Sequence, residues 1–226
     1  VLFFGPLPEP TNGQSTAFQS VCDNLLGSNL LINTTHFGKM KVFNTLYSVS
    51  LLTYYFLSKR FDIVYFTGSR STLGFIKDYI LVLLSHLHGV RVINHIHGSD
   101  FEDFLQTSGI LKSLILKTYL RIDTCIVLLD DMKSSFERFP ELKIETVFNS
   151  YGKEFDLASE VNKEDLTILY LSNIMASKGI MEFLASAENV MSRNSLVNYT
   201  IAGSFVSDEI HKDTAIRAMF YRELHR

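Results

Sequence analysis

The sequence predicts an α/β chain built on a mostly parallel sheet, and three observations predict it. Short apolar runs recur along the chain with room for a helix between them. They lack polar alternation, which suits strands covered on both faces. The first run opens into a Gly- and Pro-rich loop and then a helical segment, the form of a crossover unit.

The first strand is Val1 to Phe4. It feeds the loop Gly5-Pro6-Leu7-Pro8-Glu9-Pro10-Thr11-Asn12-Gly13-Gln14, and a helix begins near Ser15. Pro6, Pro8 and Pro10 fix φ, so the loop delivers a permissive Gly and small polar residues to a helix entrance. Such an entrance offers backbone N–H groups and a positive helix end to an anion, commonly a phosphate. An ordinary strand-to-helix connection would carry the same turn residues. Two nucleotide motifs are excluded by spacing. A Walker loop needs Gly where Pro8 stands and Lys where Gln14 stands. A dinucleotide fingerprint needs clustered glycines and an acid after the second strand, where this chain has Thr34-Thr35-His36.

Further strands are expected at Leu30 to Asn33, Ile63 to Phe66, Arg91 to Ile96, Cys125 to Leu129 and Glu145 to Phe148. A first domain therefore covers 1–152. The polar span 153–165 has no apolar period and reads as a linker. From 166 to 226 alternation resumes: a strand at Leu166 to Leu171, a helix from Ile180 with apolar residues at helical spacing, a strand at Val197 to Ala202, and a last helix from Asp208 toward Arg226. Two strands are too few to close a stable sheet alone. With Val rather than Met at position 1, the chain reads as a fragment whose second domain is incomplete.

Composition narrows the function. Apolar residues make up 46% of the 226 and aromatics 12%, ample for a core, and the net charge of -3 gives no footprint for nucleic acid. Cys22 and Cys125 sit in apolar contexts and read as reduced core residues. No apolar stretch reaches the ~18 residues of a membrane span, so a soluble or at most peripheral protein is expected. The segment Leu111 to Ile122 puts Leu111, Leu114, Ile115 and Ile122 on one face between Lys112 and Arg121; it is either a core-packed helix or a face that touches a bilayer. Lys39 and Lys41 form a second basic stretch.

Two constellations bear on chemistry. In Asn94-His95-Ile96-His97-Gly98-Ser99-Asp100, strand alternation puts His95 and His97 on one face, and His97 falls beyond the carboxyl end of the strand, where parallel sheets bind ligands. Ser99 and Asp100 are suited to capping. A plain cap with structural histidines, a polar ligand site, and a metal shared by the two imidazoles all stay open. In Leu171-Ser172-Asn173 through Lys178-Gly179-Ile180, a lysine stands at a helix entrance, which is favourable when an anion lies between the two; a solvated surface lysine is the alternative.

Taken together, Gly5-Pro6-Leu7-Pro8 through Gly13-Gln14-Ser15, His97-Gly98-Ser99-Asp100-Phe101, Ser172-Asn173 through Lys178-Gly179, and Ile201-Ala202-Gly203 resemble the family-4 retaining glycosyltransferases, whose GT-B architecture pairs two Rossmann-like domains. The resemblance implies a Rossmann-like acceptor-side domain followed by an incomplete donor-side one. It implies transfer of a sugar from a nucleotide-diphosphate donor to a glycan or lipid-linked acceptor, in cell-surface polysaccharide synthesis. No metal cofactor is expected, the nucleotide sugar being a substrate, and the location would be the cytoplasm at the inner face of the plasma membrane, with peripheral contact. Carried over by residue, His97 would bond the transferred sugar and Lys178 would neutralise the departing diphosphate. Gly13, Asn173 and Gly203 would line the donor diphosphate site, and Asp100 or Ser99 would serve the acceptor or cap a helix. Members commonly have Arg where Asn173 stands, so diphosphate binding would lean on Lys178. Their glutamate-bearing donor segment would fall past Arg226, and slow or absent turnover is expected of the chain by itself. Two other classes compete: a noncatalytic acceptor- or partner-binding module, and a metal-dependent hydrolase using His95 and His97.

Overall fold

The computed structural model describes residues 1–8, 11–25, 27, 29–38, 40–69, 71–98, 100–107, 109–149, 166–194, 196–207 and 211–224. The expected linker at 153–165 lies outside them, as do Lys39, Ser99 and Asp208. Two compact units make up the chain, Val1–Tyr151 and Gly152–Arg226.

In the first unit β1 (Leu2–Gly5), β2 (Leu30–Asn33), β3 (Ile63–Thr67), β4 (Arg91–His95), β5 (Thr124–Val127) and β6 (Lys143–Thr146) form one sheet. Its order is β2-β1-β3-β4-β5-β6 and every pairing is parallel. The helices are α1 (Gly13–Asn24), α2 (Lys41–Ser58), α3 (Thr72–Leu87), α4 (Phe101–Thr107) and α5 (Lys112–Tyr119). Alternate strand residues split between the two faces. Leu2, Phe4, Ile32, Val64, Phe66 and Val92 face Leu52 and Phe56 of α2, Phe75 and Leu81 of α3, and Ile115 of α5 in the main core. Phe3 and Tyr65 face the other way and pack on Phe18 of α1. Gly5 permits that packing, because a Cβ there would lie 2.6 Å from the Phe18 ring. This is the α/β fold with a parallel sheet that the apolar runs predict.

Some boundaries differ from the expected ones. α1 starts at Gly13, two residues before Ser15, because Asn12 and Ser15 form a reciprocal capping box. The sixth strand ends before Val147 and Phe148, both of which are exposed; β5 fixes its register from Thr124 opposite Lys143. The apolar face of α5 does not meet a bilayer. Ile115 and Ile122 are buried in the main core, and Leu111 and Leu114 pack against it. Both cysteines are free, and burial pushes the Cys125 thiol up to about 12.

The second unit pairs β7 (Thr167–Leu171) with β8 (Asn198–Ala202) in parallel, with α6 (Ile180–Met191) and α7 (Asp213–Leu224). Ile180 and Leu184 of α6 meet Ile216 and Phe220 of α7 in a small core. α7 begins at Asp213, whose N–H donates to Ser207 Oγ at 3.0 Å. The apolar run of β7 predicts a covered strand, yet Leu169 and Leu171 are exposed, and it is Tyr170, on the other face, that packs toward the small core. No helix among the described residues is long and apolar enough to cross a membrane.

Candidate functional site

The chain runs outward from β1 to β2, then returns to add β3 on the opposite side of β1. The loops after β1 and β3 therefore diverge and leave a crevice at the carboxyl ends of the strands, the place where parallel sheets take ligands. Here the crevice has a volume of about 620 Å³, and loops following β1, β2 and β3 line it. Among the described residues its polar lining comes from amides (Asn12, Gln14, Asn44), hydroxyls (including Thr35, Thr67 and Ser69) and two lysines, Lys41 and Lys77, with no carboxylate.

Hydrogen bonds set its shape. Asn33 Oδ1, at the end of β2, accepts from Leu7 N at 3.2 Å and Thr35 N at 2.9 Å, tying the first loop to the second. Asn44 of α2 accepts from Phe37 N at 2.7 Å and donates to the Gly38 carbonyl at 2.8 Å. Behind the third loop, Lys77 Nζ meets Asp78 Oδ1 at 2.9 Å and donates to Ser69 Oγ at 2.8 Å, while Asp78 Oδ2 accepts from Ser69 N. Both side chains of this pair are nearly inaccessible, and the lysine also lies 5.1 Å from the Phe4 ring centre. Thr67 Oγ1 is buried with no hydrogen-bond partner among the described residues.

Gly13 opens α1 beside this crevice. Asn12 satisfies the Ser15 and Thr16 amides, and among the described residues the Gly13 and Gln14 amides have no partner. A Cβ on Gly13 would meet nothing within 4 Å, so packing does not dictate glycine there.

At the end of β4 the histidines stand together as strand alternation predicts, with ring centres 4.0 Å apart. His95 is buried, and its Nδ1 is hydrogen-bonded to the Tyr65 hydroxyl at 2.5 Å. Burial, with His97 adding to it, lowers His95 to about 3, so its ring is neutral at physiological pH. Burial likewise raises Tyr65 and keeps the phenol protonated. Among the described residues no group of three or more His, Cys, Asp or Glu is placed to hold a metal ion. A metal-dependent hydrolase would need a further ligand beside the two imidazoles, and none stands there among the described residues. Asp100 stands one residue before α4, and its carbonyl accepts from Phe104 N at 2.9 Å. Ser99 lies outside the described residues.

In the second unit the loops after β7 and β8 continue the pairing. Ser172 N donates to Ala202 O, Ile174 N to Ser204 O and Val206 N to Ile174 O. Gly203 belongs to this zipper, since a Cβ there would fall 1.9 Å from Ser172 O. Asn173 is exposed beside it, and Lys178 is exposed in the single 3₁₀ turn Ala176–Lys178 that precedes α6. Gly179 then turns the chain into α6 with a φ of 75°, a conformation that favours glycine. The Tyr170 hydroxyl donates to the Lys178 carbonyl at 3.2 Å and so anchors that turn.

Sequence reasoning missed the loop after β3, Thr67-Gly68-Ser69, and the supporting Lys77–Asp78 pair. The signal was present: a Gly-Ser turn after an apolar run, then adjacent opposite charges inside an otherwise apolar helix.

No protein-family model matches the chain. It is 26% identical over 183 residues to the O-antigen biosynthesis glycosyltransferase WclY of Escherichia coli, an alignment covering 74% of this chain and 48% of WclY. The chain thus spans about half the length of that curated relative. Among solved structures, the UDP-forming α,α-trehalose-phosphate synthase of Burkholderia xenovorans superposes with a TM-score of 0.62 at 11% identity, over 100% of this chain and 68% of the synthase. The chain therefore shares the fold of a sugar-transferring enzyme and is similar in sequence to another.

Proposed function

We propose that the chain belongs to a nucleotide-sugar-dependent glycosyltransferase of the retaining, family-4 type that builds a cell-surface polysaccharide. The observation that carries the reading is the preformed crevice at the reversal of strand order, polar and without a carboxylate among its described residues, in a chain similar to WclY over 74% of its length. Its hydroxyls and amides suit the hydroxyl groups of a glycan acceptor. On the donor side, a sugar leaves with diphosphate only if charge building on the leaving oxygen is stabilised. The Gly13 and Gln14 amides, without a partner among the described residues, and the exposed Lys178 ammonium are groups of the required kind. His97 would contact the transferred sugar, with Asn173 and Gly203 beside the diphosphate and Asp100 toward the acceptor. No metal is needed, because amides and an ammonium carry the charge.

The test is a thermal-shift panel of nucleoside diphosphates and nucleotide sugars on the full-length protein, followed by a transfer assay. One diphosphate should raise the melting temperature and Lys178→Ala should abolish that rise. Transfer should fall about 100-fold in the variant and be unaffected by EDTA. A diphosphate shift that survives Lys178→Ala undiminished defeats the reading.

A further inference from the structure

The outer face of α2 is the anomaly of the first unit. Its inward face follows a regular four-residue step, Asn44, Ser48, Leu52 and Phe56, all buried. On the opposite side, Val42, Phe43, Leu46, Tyr54 and Leu57 are between 56% and 80% exposed. At 100° per residue these five fall within an arc of about 120°, shared with Ser50 and Thr53 and with no charged side chain. A helix that carries large apolar side chains on its outer face as well as its inner one calls for a second surface, a larger core or lipid, and among the described residues nothing covers this one. The neighbouring α3 continues the surface: Ile76 and Leu87 are exposed, and its two charged residues, Lys77 and Asp78, are turned inward and paired.

Charge identifies what covers it. No Asp or Glu occurs between Asp23 and Asp62. Where α2 and α3 end, Lys59, Arg60, His88 and Arg91 line a concavity of about 750 Å³, with Asp62 its one carboxylate among the described residues. Neither Lys59, Arg60 nor Arg91 is ion-paired among the described residues. Cations at helix carboxyl ends suit the helix dipole alone, but an apolar stripe bearing Phe and Tyr that runs into a cationic hollow has the form of an interfacial helix on an anionic bilayer. We infer that the α2–α3 face docks on an anionic lipid surface, with Phe43, Leu46 and Leu57 entering the interface and Lys59, Arg60 and Arg91 meeting lipid phosphate. This docking stands apart from the proposed reaction, since it is read without any sugar donor.

Vesicle co-sedimentation of the full chain tests it. Binding should be strong on phosphatidylglycerol-containing vesicles, weak on pure phosphatidylcholine, and reduced by high salt. The variant Phe43→Ser/Leu46→Ser/Leu57→Ser should bind at least about tenfold less tightly, and Lys59→Glu/Arg60→Glu should lose the preference for phosphatidylglycerol. The chain has no tryptophan, so Leu57→Trp is a unique reporter that does not disturb the core; brominated lipid should quench it. An unquenched reporter, equal binding of the triple-serine variant, or self-association in place of vesicle binding overturns the inference, the last assigning the face to a second copy.

Discussion

The carboxyl edges of the two sheets are built in opposite ways. In the first unit, buried and half-buried polar groups hold the edge: the Lys77–Asp78 pair under the third loop, the half-buried Asn33 between the first two loops and Asn44 behind the second. In the second unit, backbone pairing past the strand ends holds the edge, and its polar side chains Asn173 and Lys178 are left to solvent. Substitution in the first edge therefore registers as lost stability. In the second edge, the exposed side chains Asn173 and Lys178 are dispensable to the fold, whereas Gly203 is not.

The largest expected effect is at the buried pair. Asp78→Ala leaves an ammonium in an apolar site and frees the third loop, at a cost of about 3–5 kcal/mol, measurable by urea unfolding. Parity with the parent protein would mean that Lys77 finds water and the edge is softer than described. Next comes Gly203→Ala, which forces a methyl against Ser172 O. About 1–3 kcal/mol of overpacking is expected, read as earlier melting and faster amide exchange in the second unit, whereas Lys178→Ala should leave the melt unchanged.

His95 sharpens the contrast through pH. Its folded value of about 3 lies below its ordinary 6.5, so the unfolded chain takes up the proton first as pH falls. Stability is thus complete above about pH 6.5 and declines toward pH 3, by at most about 1.4 kcal/mol per pH unit. His95→Gln should flatten that limb in melts taken from pH 7 to pH 4. The smallest effect is Gly13→Ala. With open space around the site, alanine at the start of α1 should change stability by less than about 1 kcal/mol, in the stabilising direction. If the same change slows transfer, the cost arises at the ligand and not in the fold.

Much of the architecture was legible because most strands carry a short apolar run and the longer helices a periodic one. Leu30–Asn33 and the Ile180 start of α6 fall where the pattern puts them. The pairing of His95 with His97 followed from strand alternation alone. What escaped depends on distant partners. Nothing local to Asn33 announces that it will accept from Leu7, twenty-six residues away. α5 shows an amphipathic stripe and lays it on the core, whereas the unusual helix is α2, whose apolar residues exceed what the inward face can hold. Periodicity marks the side that packs; surplus hydrophobicity marks the side that needs a second surface.

Asn33 has one more consequence. A single carbonyl oxygen holds two loops that arise from different strands, so neither can be exchanged without disturbing its neighbour. Reshaping the crevice would therefore call for transplanting both loops with their shared asparagine as one cassette, since grafting either alone would leave a severed brace.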